Sequence, residues 1–226
     1  MLFRPPRYVA PQAQATRFAR ELGFGLLVSQ LDGELQFSHL PFVVDTDGER
    51  IVRLRGHFSR NNPHWQALQR QPQATVVFNG PNAYISAQWY TPACQAAPSW
   101  NYVTVHVGGR VRLLDTPEET TQIVDELIEV NEARLPRQWD LSTYSPQRRA
   151  VLTPHILGFA LDVETVEEKF KLSQHHQPAD RAGAIAGLRE LGGGDAAWMA
   201  DMMEAATARP LDTAARLAAD TPTQKR

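Results

Sequence analysis

The sequence has almost no cysteine: Cys94 is the only one among 226 residues. An internal disulfide is therefore excluded, and a single thiol is typical of proteins from reducing compartments. Apolar runs long enough to cross a bilayer are lacking, as is the apolar segment of a secretory signal near the N-terminus. These absences predict a soluble, cytoplasmic protein.

A large excess of charge and several catalytic motifs are lacking as well. The formal net charge is -2, which argues against a generally basic, nucleic-acid-binding surface. The sequence contains no G-x-G-x-x-G, G-x-S-x-G or H-E-x-x-H pattern. Cys94 is predicted to be an incidental thiol. No metal site is predicted at the adjacent His175 and His176, because neighbouring side chains on one element usually diverge.

What is present indicates mainly β structure. Asp32-Gly33 predicts a tight hairpin, and further apolar stretches separated by short turns predict an antiparallel barrel. The predicted strands occupy residues 25–30, 34–40, 50–58, 74–79, 83–88, 101–114, 155–163 and 166–172. The predicted helices occupy residues 12–22, a segment capped by Thr116-Pro117, and residues 180–191 and 195–209.

The predicted fold class is therefore mainly β with peripheral helices (α+β). One domain over residues 1–191 is expected, followed by a C-terminal helix and a flexible tail over residues 192–226. The glutamates of the helix that follows Thr116 are predicted to face solvent. They are Glu118, Glu119, Glu126 and Glu129.

A cationic strand followed by a helix start forms a first candidate site. With the two-residue period of a strand, residues 50–58 present polar side chains on one face and apolar ones on the other. The polar face comprises Arg53, Arg55 and His57, and the apolar face Val52, Leu54, Gly56 and Phe58. Asn62-Pro63 then predicts a helix N-terminus, whose free N–H groups attract anions.

These features predict a cradle for a phosphate monoester, which a guanidinium can grip with two hydrogen bonds. A solvated strand face followed by a capped helix explains the same pattern, and spacing alone does not separate the two hypotheses. The predicted cradle comprises Arg55, His57, Ser59, Arg60, Asn61 and Asn62.

Aromatic side chains are concentrated between residues 84 and 102. Such a cluster can stack on a planar ring or fill a dimer interface, or it can form ordinary hydrophobic core. Its members are Tyr84, Trp89, Tyr90, Trp100 and Tyr102.

An ordered series of motifs resembles the PaiB family. The motifs are SHLPF (38–42), LRGHFSRNNPHW (54–65), YISAQWY (84–90), PSWNYVTVHVGGRVRLLD (98–115) and EKFKLSQHHQPADRAGAIAGL (168–188). The resemblance implies an FMN-binding split β-barrel that forms a homodimer with flavin at the subunit interface. It also implies negative regulation of the transcription of degradative-enzyme and sporulation genes, with DNA as a candidate partner.

Carried onto this chain, the resemblance implies residue roles. Ser38, His39, Leu40 and Pro41 are expected to run along the isoalloxazine ring, and the GHFSRNNP segment to hold the FMN phosphate. Trp89, Trp100, Asn101 and Tyr102 are expected to approach the site, in part from the partner subunit. A basic, polar motif of unassigned role matches Lys169, Lys171, Ser173, Gln174 and Arg181. The chain departs from the family pattern at Ala87, where proline is usual, and at His175-His176, where Asn-Arg is usual.

The sequence leaves two other functions open and indicates no catalytic residue. One is an FMN-dependent oxidoreductase, in which protein groups position and tune the flavin. The other is a haem-binding split-barrel protein, with candidate axial ligands His39, His57, His64 and His106. The visible spectrum of the purified protein distinguishes flavin from haem.

Overall fold

The computed structural model describes residues 1–114 and 116–208. Within these ranges the chain forms seven strands and six α-helices. The strands are β1 (Phe24–Leu31), β2 (Glu34–Pro41), β3 (Val43–Asp47), β4 (Arg50–Ser59), β5 (Gln73–Ile85), β6 (Ser99–Leu114) and β7 (Ile156–Lys171). The helices are α1 (Gln12–Leu22), α2 (His64–Arg70), α3 (Pro117–Glu132), α4 (Pro146–Leu152), α5 (Pro178–Leu191) and α6 (Gly194–Ala208).

The seven strands form one open sheet with the order β2-β1-β5-β6-β7-β4-β3. The pairs β1–β2, β1–β5, β3–β4 and β4–β7 are antiparallel. The β1–β2 hairpin turns at Asp32 and Gly33, both with positive φ, as the sequence predicts. The prediction of an antiparallel α+β protein is confirmed.

Some predicted boundaries are wrong. Residues 80–82 were predicted to form a turn, but β5 runs through them without interruption. Up to Phe78 the even-numbered residues of β5 are buried, and from Pro81 the odd-numbered residues are buried. The strand therefore continues, but the set of side chains that faces the core changes. The two strands predicted within residues 155–172 are likewise one strand, β7. Residues 45–47, predicted as a turn, belong to β3.

The chain divides into two compact units. The first comprises Met1–Pro11, Asn79–Thr104 and the chain from Glu168 onward, and the second comprises Gln12–Phe78 and Val105–Glu167. The strands β5, β6 and β7 contribute residues to both units.

Helices α5 and α6 belong to the same unit. Arg189 of α5 pairs with Asp201 and Glu204 of α6. The domain boundary between residues 191 and 192 stays a prediction, and the expected flexible tail, beyond α6, lies outside the described residues.

The core of the second unit is built around phenylalanines. Phe58 and Phe159 lie 4.7 Å apart between ring centroids, and Phe42 contacts both Phe78 and Phe159 edge-on. All four side chains are buried, and burial of large aromatic rings contributes strongly to stability.

Helix α3 packs through its apolar stripe. Ile123 and Leu127 form a buried cluster with Leu114 and Ala160. The predicted Thr116 N-cap is confirmed, because the Thr116 hydroxyl accepts a hydrogen bond from the Glu119 N–H. Among the described residues, none of the helices combines the length and hydropathy needed to cross a bilayer.

Candidate functional site

The Arg55 side chain of β4 is held by two carboxylates. Its Nε and Nη2 donate to the two oxygens of Asp45 at 2.7 Å each, and Nη2 also lies 2.6 Å from Glu126 Oε2. The hydrogen bonds that Arg55 donates to Asp45 raise the pKa of Arg55 above its ordinary value, and the hydrogen bond to Arg55 lowers the pKa of Glu126. The guanidinium predicted to grip a phosphate is thus already paired.

The predicted alternation of β4 is correct from Leu54 onward and wrong before it. Asp45 pairs with Arg53 but Thr46 pairs with Ile51, so Val52 is an extra residue at a bulge. As a result Ile51 is buried and Val52 is exposed, the reverse of the expected facing.

Helix α3 covers the polar face of β4. Gly158, the cross-strand partner of His57, donates its N–H to Thr120 Oγ1 of α3. The prediction that the α3 glutamates form a solvated face is therefore wrong for Glu126, which pairs with Arg55, and right for the exposed Glu118 and Glu129.

His57 lies on this covered face with an unsatisfied ring nitrogen. Burial lowers the pKa of His57, so the imidazole is neutral at neutral pH. Its Nδ1 atom is buried and has no hydrogen-bond partner among the residues that the structure describes. An orphaned buried nitrogen of this kind is suited to a polar ligand group.

Residues 59–62, hereafter the 59–62 loop, connect β4 to α2. The Arg60 N–H donates to His155 O at 2.8 Å, and Arg60 O accepts from Trp65 Nε1, so the backbone of the loop is fixed. Ser59, Arg60 and Asn61 are exposed, as expected for ligand-binding groups. No described residue pairs with the Arg60 guanidinium.

The side chain of Arg60 lines a cleft of about 560 Å³ in the second unit, a size suited to small molecules. Threonine hydroxyls and a second arginine share its wall. The polar lining residues are Arg60, Thr116, Thr120, Thr121, Arg149 and Thr153.

Helix α2 differs from its prediction in where it starts. It begins at His64 with Pro63 as the N-cap residue, one residue later than expected. The Asn62 side chain still caps it, accepting a hydrogen bond from the His64 N–H at 3.0 Å. At seven residues the helix is short, so its dipole adds little to anion binding.

His64 lies in a closed hydrogen-bond network. Its two ring nitrogens bond Ser29 Oγ at 2.9 Å and Ser38 Oγ at 2.8 Å, and Asn62 Nδ2 donates to Ser38 Oγ. Burial lowers the pKa of His64, so one ring nitrogen donates and the other accepts. This arrangement leaves neither nitrogen for a haem iron.

The four residues of the SHLP motif therefore differ in their exposure to solvent. Ser38 is buried in the His64 network, whereas His39 is exposed and stacks on Phe24 at 6.3 Å between ring centroids. Leu40 and Pro41 are half-buried. Of the four residues, His39 is the most open to a ligand or a second protein surface.

The aromatic residues of the first unit have different settings. Trp89 packs its ring against α5 at Gly187, where a Cβ atom would lie 2.3 Å from the ring. Trp100 is exposed and contacts Tyr84 edge-on at 6.1 Å. Asn101 is buried and donates to Ser173 Oγ at 3.0 Å.

The basic, polar motif that begins in the last residues of β7 has structural partners within the same unit. Lys169 donates to Phe3 O and lies 5.3 Å from the centre of the Tyr102 ring. Lys171 donates to Ser99 Oγ, and Arg181 donates through Nη2 to Met203 O. Gln174 donates to Phe170 O.

One cluster was not predicted. Cys94, His176 and Asp180 each offer a metal-ligating atom, and the three atoms lie within 4.8 Å of one another. The rings of His175 and His176 lie 4.2 Å apart rather than diverging. The only local signal was the i, i+4 spacing of His176 and Asp180 at a helix start, because Cys94 is distant in sequence.

A family model described as "Putative FMN-binding domain" matches residues 1–165. The chain belongs to this family. "Protease synthase and sporulation protein PAI 2" of Bacillus subtilis (strain 168) is 30% identical over 202 residues, which are 88% of this chain and 95% of that protein. The resemblance to the PaiB family is thereby confirmed, and so is FMN as the predicted cofactor.

Solved structures confirm the split-barrel fold. A FAD and heme binding protein from Mycobacterium smegmatis superposes with a TM-score of 0.53 at 15% identity, covering 73% of each chain. A conserved hypothetical protein from Mycobacterium tuberculosis gives a TM-score of 0.54 at 13% identity, covering 75% of this chain and 91% of that one.

The 59–62 loop carries groups that fit the phosphate of FMN. Arg60 supplies a guanidinium, Ser59 a hydroxyl and Asn61 an amide, all exposed. The orphaned Nδ1 of His57 lies two residues before the loop. The residue-level assignments stay predictions for both units.

Proposed function

We propose that this chain forms a cytoplasmic homodimer that binds FMN and acts as a flavin-dependent regulator of transcription. The observation that carries the proposal is the 30% identity to a sporulation protein over 95% of that protein's length. The regulatory part of the proposal rests on that relative's name and on the PaiB resemblance.

In this proposal Arg60 is the main phosphate-binding cation. Its exposure and lack of a described carboxylate partner support this role, whereas Arg55 is paired with Asp45 and Glu126. A guanidinium that is not already paired can form charge-assisted hydrogen bonds with phosphate without first breaking others.

Fluorescence titration with FMN tests the phosphate assignment. Arg60→Ala is expected to weaken FMN binding about 10-fold or more, because a hydrogen bond to a charged group is worth roughly 1.5–3 kcal/mol. Arg70→Ala is the matched control, since Arg70 is also exposed in the second unit but pairs with Asp32. Unchanged affinity in Arg60→Ala would place the phosphate elsewhere.

The proposed dimer surface lies on the β1–β2 hairpin. Phe24, Leu35 and Phe37 are more than half exposed there, next to the exposed His39, and β2 is an edge strand. Exposed apolar patches of this kind commonly mark interfaces, and a second copy would cover it.

Sedimentation velocity tests this surface. Phe37→Asp is expected to convert a dimer into a monomer, whereas Val151→Asp, which changes an equally apolar and exposed residue on α4, is expected to leave it dimeric. A monomeric wild-type protein, or a dimeric Phe37→Asp variant, would contradict the assignment.

Direct action on DNA is tested by a gel-shift titration at fixed salt, with DNA from upstream of the gene and with unrelated DNA. Specific binding that changes on FMN loading is expected for a flavin-dependent regulator. Equal binding to both DNAs would remove direct repression from the proposal.

An FMN-dependent oxidoreductase is the second candidate. It is favoured by the exposed His39, which belongs to the segment expected to run along the isoalloxazine ring, because protein groups beside the ring position and tune a flavin. Bound FMN supplies hydride and single-electron transfer. Loss of the flavin absorption band on anaerobic mixing with NADH or NADPH would favour this candidate, and an unchanged band with either would favour the regulator.

A further inference from the structure

A thiol, an imidazole and a carboxylate converge in the first unit. Cys94 follows the short 3-10 helix Ala87–Trp89, His176 precedes α5, and Asp180 lies in the first turn of α5. Their ligand atoms lie within 4.8 Å of one another. This group, hereafter the Cys94 cluster, is made of two chain segments that only the fold brings together.

Hydrogen bonds hold Cys94 and Asp180 in place. Asp180 Oδ1 accepts from the N–H of Thr91 at 2.8 Å and from its hydroxyl at 2.7 Å. The Cys94 N–H donates to Thr91 O at 2.9 Å, so the turn that carries the thiol is tied to the carboxylate.

Close packing fixes the same loop on α5. A Cβ atom at Gly183 would lie 2.0 Å from Trp89 O, and one at Gly187 would lie 2.3 Å from the Trp89 ring. Asp180, Gly183 and Gly187 share one face of α5, because residues three and four apart are neighbours on a helix. The Cys94 cluster is therefore preorganised by residues that do not belong to it.

Two contacts hold His176 in place as well. Its backbone N–H donates to Ser173 O, and its ring stacks on Tyr90 with centroids 4.7 Å apart. The imidazole is held with a ring nitrogen within 4.8 Å of the ligand atoms of Cys94 and Asp180.

A buried hydroxyl beside the cluster is unsatisfied. Tyr90 is 7% exposed, and its Oη has no hydrogen-bond partner among residues 1–114 and 116–208. The Tyr90 ring stacks on the His176 ring, which places this residue beside one ligand of the Cys94 cluster. A buried hydroxyl of this kind requires a partner, and it can accept a hydrogen bond from water on a metal ion.

We propose that Cys94, His176 and Asp180 bind a zinc ion, with water in the fourth position and Tyr90 as that water's hydrogen-bond partner. Zinc accepts sulfur, nitrogen and oxygen ligands together in tetrahedral geometry, whereas magnesium and calcium require oxygen. Three protein ligands and an open position are the arrangement of zinc sites that act on small molecules. The proposal does not depend on the FMN proposal, because Tyr90 and the three ligands are not among the residues expected to bind FMN.

Zinc titration of the full-length, chelator-treated protein tests the site. We expect one zinc ion per chain by calorimetry and, by zinc-edge X-ray absorption, one sulfur at about 2.3 Å with nitrogen and oxygen at about 2.0–2.2 Å. X-ray absorption is unaffected by flavin. Absence of stoichiometric binding, or a first shell without sulfur, would overturn the proposal.

Variants locate the ion. Cys94→Ser and His176→Gln are each expected to weaken zinc binding roughly 100-fold or more, since even residues behind the ligands contribute 10–100-fold. His175→Gln is the matched control, because His175 is the adjacent histidine but lies outside the cluster. Equal losses in His175→Gln and His176→Gln, or wild-type affinity in Cys94→Ser, would show binding by a surface histidine pair and contradict the proposal.

Thermal unfolding gives a readout that separates misfolding from ligand loss. Zinc is expected to raise the Tm of the wild type and of His175→Gln, because a ligand that binds the folded state stabilises it. Cys94→Ser is expected to unfold at the wild-type Tm without zinc and to show no zinc-dependent shift. A shift equal to that of the wild type would count against the assigned thiol ligand.

Discussion

Each unit contains a buried or half-buried histidine with polar neighbours, and the two histidines differ in how complete their surroundings are. In the second unit both ring nitrogens of His64 are hydrogen bonded to serines. In the first unit His176 lies against a thiol and a carboxylate, and the nearby Tyr90 hydroxyl has no partner among the described residues. A buried polar group without a partner costs stability. The completed surroundings of His64 are therefore suited to holding the fold, and the incomplete surroundings of His176 are suited to receiving a ligand.

The same contrast separates two arginines of the second unit. Arg55 is paired with Asp45 and Glu126, and its side chain is 18% exposed. Arg60 is exposed, and no described residue pairs with it. Paired groups are therefore expected to affect stability and unpaired groups to affect binding.

The largest effect is expected from Arg55→Ala. This change leaves two partly buried carboxylates without their cation, so we expect the free energy of unfolding to fall by about 2–4 kcal/mol. Urea unfolding of the flavin-free protein measures it. Arg53→Ala is the control, because the Arg53–Asp162 pair is exposed and is expected to contribute less than about 1 kcal/mol.

The opposite result would show that Arg55 and Arg60 do not divide into a stabilising and a ligand-binding residue. If Arg55→Ala left stability unchanged and weakened FMN binding instead, Arg55 would be a phosphate ligand, as β-strand periodicity alone suggests. The unfolding curve and the FMN titration of the same variant decide between the two roles.

Residues with strong local preferences allowed the ends of several helices and strands to be predicted from the sequence. Helix α1 has the predicted bounds because Gly23 ends it, and Thr116 caps α3 as expected. The break predicted at Gly80-Pro81 failed because both residues are accommodated within a continuous β5. Strand β3 was missed because its Asp45-Thr46-Asp47 segment has turn composition although β4 pairs with it.

Tertiary contacts explain what could not be predicted about the site. Periodicity placed Arg55 and His57 on one face correctly, but the sequence does not show that α3 covers that face with Glu126. Likewise, nothing local indicates that Cys94 meets His176, because a separate loop supplies the thiol. The family motifs identified the cofactor but not the partners that each residue has in this fold.

After Arg55→Ala, the next largest effect on stability is expected in the hydrogen-bond network of His64. Ser38→Ala removes a bonding partner from both His64 and Asn62, so we expect a loss of about 1–3 kcal/mol in unfolding free energy. Ser59→Ala is the matched control: Ser59 is exposed, and its change is expected to stay within about 0.5 kcal/mol. Similar losses in both variants would mean that the network does not carry the stability assigned to it.

The free energy of unfolding is expected to depend on pH by a similar amount, because of the imidazoles of His57 and His64. His57 and His64 have pKa values below the 6.5 of an unfolded histidine, because burial disfavours their charged form. The unfolded state therefore takes up protons first as pH falls through 6.5 towards the folded values, and stability is lost in that window. Urea unfolding is expected to show lower stability at about pH 5.5 than at about pH 7.5, by no more than about 1.4 kcal/mol per histidine, which is the bound set by the unfolded-state pKa.

His57→Gln separates the two contributions. It removes one titrating ring without breaking a hydrogen bond to Nδ1, so we expect a smaller difference between the two pH values than in the wild type. Equal stability of the wild type at both pH values would show that these rings are charged in the folded state or accessible to solvent.

The smallest effect is expected in the open cluster of the first unit. Tyr90→Phe removes a buried hydroxyl that has no described partner, so the free energy of unfolding in the presence of a chelator should stay constant or rise by up to about 1 kcal/mol. Ser38→Ala provides the comparison, because it also deletes one buried hydroxyl but from a completed network. A loss in Tyr90→Phe as large as that in Ser38→Ala would mean that the Tyr90 hydroxyl is already bonded in the metal-free protein, and the distinction between a closed and an open cluster would no longer hold.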